Sequence, residues 1–370
     1  MLWRSAVLGF VALSAVACSA DTSEDAASGE NDVKVDTKDP LARAQYDADV
    51  AFANGYVARC KKPEGSTRPR VLVTGFGRFM GILNNATGRI VSTLVPDAKY
   101  PETVPAPAGQ IDPPEPQLSV ATMTLDWPLS GKVDVCAMIL PVYWDLASIL
   151  ISKELDAFEP SMVLMNGVAG SRQEIWLELG ATNRAEGLGD GSDILRPFLK
   201  NNATVAKLVD GGDDAQPNLM SWDAVHAAAA DAVAKHAKDV DDNTILEDLL
   251  PGAKLAGFPR SSNTYLCNNV TYVTGWLMSH PGKSTRLLKA SKAEPGKPND
   301  VTVKLANDFS KTPRMFVHWP STLDVRHHAA GAAIMEAILD AQVNALAKND
   351  LPKAGDNANA DPDLKGGDTF

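Results

Sequence analysis

AKLAGFPRSSNTYLCNNVTYVTGWLM, residues 253–278, is the stretch from which the rest of the chain is read. AKLAGFP has the short apolar run of a buried strand. Val270, Val273 and Leu277 then recur at helical spacing. An irregular turn joins the two, and it delivers Cys267 to the start of the helix. A thiol there feels the positive end of the helix dipole and faces unpaired backbone N–H groups. Both effects favour the thiolate, which is the nucleophilic form. A cysteine in this setting can equally be a buried apolar residue. The choice depends on what the other strands bring beside it.

Those strands follow one pattern. VLVTGF (71–76), VDVCAMILPV (133–142), MVLMNGVAG (162–170) and RMFVHWP (314–320) are apolar β-runs. TGRIVSTLV, WDLASILISKEL, a segment from Ser221 through Lys238 and a long final segment from Leu323 to about Leu346 read as helices. Strands alternating with helices predict an α/β fold: a single-domain α/β/α sandwich with a mainly parallel twisted sheet. Ser221 is placed to cap its helix. Residues 97–117 are proline-rich and read as a surface loop.

The ends of the chain differ from this core. Arg4, the apolar run Ala6 to Ala17 and the Ala-Val-Ala-Cys box at 15–18 read as an export signal over residues 1–17. That box resembles a lipoprotein signal, in which Cys18 is lipidated and holds the protein to a membrane. An ordinary secreted protein is the alternative. Residues 18–66 read as a flexible tether and N-terminal extension, with loose helical spacing over residues 39–60. Residues 67–347 form the folded domain, and the polar, Gly- and Asp-rich stretch 348–370 reads as a disordered tail.

Composition removes several function classes. The 370 residues carry a net charge of −11, which argues against a general nucleic-acid binder. Four cysteines are present without a CxxC pair, so a structural zinc site is not expected. Gly75 and Gly77 begin a dinucleotide-like loop, but the third position holds Met80. GxSxG and GxxxxGK[ST] motifs are absent. His327 and His328 are adjacent, so on a helix their rings diverge by roughly 100°. They read as a solvated helix start rather than a metal pair.

A cysteine hydrolase needs a thiolate, a proton-transferring base and a group that orients the base. Cys267, His318 in RMFVHWP and Glu178 in GVAGSRQEIWLELGATN supply these residue types, each following a different strand. In a parallel sheet the carboxyl ends of strands gather at one edge, which is how such distant residues could meet.

Four blocks in this order resemble pyroglutamyl peptidase I, the pyrrolidone-carboxylate cysteine peptidases. VLVTGFGRFMGILNNAT, GVAGSRQEIWLELGATN, NTYLCNN and FVHWP carry the resemblance, with ILPV (139–142) as a shorter block. It spans about residues 70–346. It implies Cys267 as nucleophile, His318 as base and Glu178 as the acid that orients His318. It also implies that Phe76 and Phe79 line a small apolar pocket for a pyrrolidone ring. Asn85 and Arg172 would contact substrate or brace these loops. The implied partner is a peptide with a blocked N-terminus, and no metal or organic cofactor is called for. Met80, Ala86, Asn263 and Asn166 depart from the family pattern, which bears on the ring-binding loops. Two other readings suit the same residues: a non-catalytic surface lipoprotein using the fold as a binding scaffold, or a related cysteine hydrolase acting on another N-terminal group.

With Cys18 committed to the N-terminus and Cys267 required as a thiol, Cys60 and Cys136 remain. In an oxidising compartment such a pair is expected to bridge; the alternative is that Cys136, in a core strand, is simply a buried apolar residue.

Overall fold

The computed structural model describes residues 33–79, 81–169, 174–186, 197–198, 205–241, 244–258, 265–323 and 327–365. Residues 1–17, read above as an export signal, and Cys18 and Arg172 lie outside these residues.

The core is one sheet. Strand β1 (Arg70–Phe76) lies between β3 (Gly131–Leu140) and β4 (Met162–Ala169), parallel to both. Strand β7 (Arg314–Pro320) continues the parallel set beside β4. On its far side come β5 (Ile175–Glu178), antiparallel to β7, and β6 (Ala253–Ala256), parallel to β5. Strand β2 (Ser119–Trp127) closes the other edge, antiparallel to β3. The order is thus β6–β5–β7–β4–β1–β3–β2. Every residue of β4 is buried, as expected of a strand covered on both faces. In β2 the burial alternates over its second half, because that edge strand has one face towards solvent.

Helices cover both faces. On one side α2 (Ala86–Leu94) and α4 (Trp222–His236) pack against the last helix, α6 (His328–Ala347). On the other, α3 (Leu146–Phe158) packs against α1 (Pro40–Gly55) and α5 (Leu266–Ser279). Side-chain alternation along β7 separates the faces. Phe316 and His318 turn towards α5, whereas Trp319 sits beside Gly331 of α6. Helix α2 crosses β1 very closely. A Cβ on Gly88 would lie 2.3 Å from the Phe76 carbonyl oxygen, so the crossing admits no side chain there.

The N-terminal extension belongs to this body. Helix α1 buries Ala42, Tyr46, Val50 and Ala53, one face at helical spacing. Asp39 caps it, accepting from the N–H groups of Leu41 and Ala42 at 2.9 Å. After the helix, Cys60 is disulfide-bonded to Cys136 of β3, with Cα atoms 5.8 Å apart. Glu154 lies beside this bridge. Its carboxylate is occupied by the backbone N–H groups of Arg59 and Cys60 and by the Tyr56 hydroxyl. The cluster is therefore a structural tie between extension and sheet.

The structure corrects several expectations. The stretch 348–370 is not a disordered tail over its described part. Lys353–Ala354 pairs with Leu219–Met220, and Leu364 is buried against Trp176 and Ala256. The backbone of Leu255 and Gly257 bonds to Asp361 and Leu364, so the tail covers the exposed edge at β6. A low apolar content did not prevent order, because an open strand edge offers backbone partners instead. Residues 33–38, assigned to the tether, also pack: Val33 and Val35 are buried. Ser221 stands at the N-cap position of α4 but does not cap it. Its N–H donates to Gln342 and its hydroxyl to the Asp350 carbonyl. Helix α6 starts at His328 rather than Leu323. His327 and His328 are buried, not solvated, because α6 is covered by α2 and α4.

Candidate active site

Cys267 is the second residue of α5 and is nearly enclosed, at 7 % exposure. It is not in a disulfide. The N-cap residue, Tyr265, places no side-chain hydrogen bond on the first turn. The thiol rests on β4: a Cβ on Gly167 would come within 3.0 Å of Sγ. A larger residue at 167 would collide first with the Phe316 ring, at 2.6 Å, and would crowd the sulfur as well.

His318 pairs in register with Gly167 on one side and Trp176 on the other. Its ring meets Phe316 edge-on at 4.8 Å and Trp176 at 6.2 Å. Nδ1 lies 2.8 Å from Glu178 Oε1. Glu178 ends β5, opposite Phe316 of β7, and its backbone carbonyl accepts from Asn218 Nδ2. Among buried groups, a carboxylate–imidazole bond of this kind fixes the ring's tautomer and orientation.

Cys267, His318 and Glu178 line one small cavity, with Asn268, Thr271 and Phe316 among its walls. Cys267 also lines a second cavity, with Phe76, Phe79, Asn85, Tyr265 and Leu266. The sulfur is thus the junction between an acid–base cavity and an apolar cleft. Tyr265 packs on Phe79 at 5.9 Å and on Trp144 at 5.6 Å, so the cleft has aromatic walls on two sides.

Convergence of strand carboxyl ends explains only His318. Strands β5 and β6 run against β7, so Glu178 meets β7 at Phe316, while Cys267 is carried by α5. Strand β5 itself was not expected from the sequence, and neither was β2.

Asn85 serves two purposes. As N-cap of α2, its Oδ1 accepts from the N–H and hydroxyl of Thr87 at 3.1 and 2.8 Å, and its own N–H donates to the Tyr100 hydroxyl. The amide also lines the cleft at 1 % residue exposure. Asn166, on β4, donates to the Thr74 carbonyl and accepts from the Trp319 indole, binding three strands together.

Two residues missed by the motif reading hold Cys267 in place. Asn268 Oδ1 accepts from Thr182 N at 2.8 Å, and Nδ2 donates to the Thr182 and Arg184 carbonyls at 2.8 Å each. This locks the start of α5 to the strand after Glu178. Asn269 Nδ2 donates to Asp145 Oδ1 at 2.8 Å, and Asp145 N donates back to Asn269 Oδ1. Burial pushes the Asp145 carboxyl upward, against the hydrogen bonds from Asn269 and Leu288 and the nearby Lys289. The available signal was the pair Asn268-Asn269 itself. Asn is a poor helix former, so two in a helix's first turn suggest side-chain work.

No family model matches the chain, and no curated protein matches it. Solved structures do resemble it. Pyrrolidone carboxyl peptidase from Thermococcus litoralis is 18 % identical, with TM-score 0.46, covering 76 % of this chain and 96 % of that one. Pyroglutamyl peptidase I from Bacillus amyloliquefaciens is 15 % identical, with TM-score 0.45, covering 74 % and 97 %. A pyrrolidone carboxyl peptidase mutant from Pyrococcus furiosus is 17 % identical, with TM-score 0.43, covering 75 % and 99 %. Likeness of this depth concerns the path of the chain and says nothing of individual side chains.

Proposed function

We propose that the chain is a cysteine peptidase that removes an N-terminal pyroglutamyl group from peptides. The observation that carries this reading is the shared position of Cys267, between the His318–Glu178 cavity and the aromatic cleft. With Nδ1 engaged by Glu178, Nε2 is the His318 nitrogen that would take the thiol proton. Cys267 Sγ attacks the acyl carbon. The oxyanion develops near the first-turn N–H groups of α5, which suit such charge. His318 returns the proton to the leaving amine, and a thioester remains. A water, deprotonated by His318, then attacks the thioester and releases the acid and the thiol.

The cleft supports a neutral blocked N-terminus. Its described lining holds no Asp, Glu, Lys or Arg side chain. A free α-ammonium would be desolvated there without a counter-charge, whereas a flat lactam would meet aromatic walls. With Asn85 Oδ1 spent on capping, its amide N–H₂ is the group suited to a ring carbonyl. The test is hydrolysis of a fluorogenic pyroglutamyl amide beside proline and free amino-acid amides. Turnover of the pyroglutamyl substrate alone is expected. Selective cleavage of a free amino-acid amide would move the protein to another cysteine hydrolase activity, and no cleavage at all would leave a binding scaffold.

We also propose that the protein is exported and lipid-anchored through Cys18. The Cys60–Cys136 bridge supports export, since such bridges persist in oxidising compartments. Detergent-phase partitioning of the mature protein, lost in Cys18→Ala, is the expected result. Partitioning into the aqueous phase by the wild type would favour a secreted protein.

A further inference from the structure

We infer that the N-terminal extension is a positioning element of the candidate active site, in which consecutive residues of α1, Gln45 and Tyr46, each brace a different wall of it. Adjacent side chains on a helix diverge by roughly 100°, so one turn can serve two walls.

Gln45 leads to the cleft. It makes a paired contact with Asp112: Asp112 N donates to Gln45 Oε1 at 2.6 Å, and Gln45 Nε2 donates to the Asp112 carbonyl at 2.9 Å. The Asp112 carboxylate accepts from Arg78 Nη2 at 2.6 Å on both oxygens. All three side chains are buried. Arg78 directly precedes Phe79, whose backbone closes a tight turn with Ile82 and whose ring forms one wall of the cleft. A buried charge pair broken at one end strands the other, so this line is stiff.

Tyr46 leads to the thiol. Its hydroxyl donates to the Leu288 carbonyl at 2.6 Å. Leu288 N donates to Asp145 Oδ2 at 2.8 Å. Asp145 Oδ1 accepts from Asn269, two residues after Cys267. Asp145 and Leu288 both hold left-handed backbone conformations, φ 62° and 46°, that non-glycine residues rarely adopt. Such conformations persist where surrounding contacts over-determine them. The Cys60–Cys136 bridge then pins the far end of the extension to β3.

The two lines predict separable effects. The pyroglutamyl part of the test rests on the function proposed above, while the thiol part does not. In full-length protein, Gln45→Leu should raise KM for a pyroglutamyl amide by roughly three- to tenfold, the scale of a lost buried hydrogen bond, with kcat and the rate of Cys267 alkylation by iodoacetamide unchanged. Tyr46→Phe should lower kcat and slow that alkylation by a similar factor, with KM unchanged. Asp112→Asn and Asp145→Asn are the second members of each line, used where a first variant does not fold by thermal melt. If the wild type turns over no pyroglutamyl amide, the alkylation contrast between the lines still decides the matter. Folded variants that leave all parameters at wild-type values would overturn the inference. So would variants of both lines that change KM, kcat and alkylation alike.

Discussion

His318 Nδ1 and Glu178 Oε1 lie 2.8 Å apart, with both side chains almost shut off from water, at 5 % and 3 % exposure. The two residues are 140 positions apart in sequence, and an antiparallel pairing between β5 and β7 brings them together. Such a bond orients the imidazole rather than performing proton transfer itself. Cys267→Ala should therefore abolish turnover, and His318→Ala should cost about 10²–10⁴ in kcat, the usual scale of general acid–base catalysis. Glu178→Gln should cost less than His318→Ala, and all three should retain wild-type circular dichroism. Wild-type activity that survives full iodoacetamide treatment would remove Cys267 as nucleophile.

The cleft makes a separate prediction. Phe76→Ala should lower kcat/KM for a pyroglutamyl amide by about 1–3 kcal/mol, the range of apolar pocket discrimination. Unchanged kcat/KM, with the Cys267 variant inactive, would mean the ring binds elsewhere.

Cysteine accessibility tests the tie between extension and sheet. In denatured, non-reduced protein, mass spectrometry should find Cys267 alkylated and Cys60 and Cys136 joined. Replacing both bridging cysteines by Ala should lower unfolding free energy by about 2–4 kcal/mol, the usual contribution of a disulfide closing a long loop. Alkylation of both in protein taken from an oxidising compartment would refute the bridge.

Acid stability should depend on Asp134. Burial works to raise its carboxyl pKa, but hydrogen bonds from Thr124, Arg68 and Ser66 and the Arg68 charge outweigh this and hold it below the ordinary value. A folded-state value below the unfolded one means the unfolded chain binds the proton more readily. The stabilisation is then complete above the unfolded pKa and disappears as pH falls through the folded one. Asp134→Asn should destabilise the protein at neutral pH and flatten the acid side of its stability curve. Denaturant titrations from pH 7 down to pH 3 would show it, and identical slopes for the two proteins would count against it.

The C-terminal segment should matter to stability. Leu364→Ala, which removes a buried contact to Trp176, should cost about 2 kcal/mol, at the low end for a buried leucine. Truncation after Asp350 should lower the melting temperature further and promote association through the uncovered β6 edge. A truncated chain with wild-type melting and a monomeric profile would show that the edge needs no cover.

Local pattern was enough for much of this molecule. The apolar runs at 71–76, 133–140, 162–169 and 314–320 coincide with strands, because a strand buried on both faces must be continuously apolar, and the shorter run at 253–256 is a strand at the sheet's edge. Residue type and position in the chain also singled out Cys267, His318 and Glu178 as candidates. What the sequence could not show were relations that depend on pairing. Strand β5 is four residues long and follows no clear period, so its direction, and with it the Glu178–His318 bond, is decided by its neighbours β6 and β7. The tail after Lys348 has few apolar residues, and its order comes from backbone partners on an open edge. Gln45, Tyr46 and Asp145 form no motif, because each acts through a hydrogen bond to a residue distant in sequence; Asn268 and Asn269 stand in the NTYLCNN block, but their partners Thr182 and Asp145 are just as distant. Periodicity reports which face of an element is buried; it carries no information about which distant element meets that face.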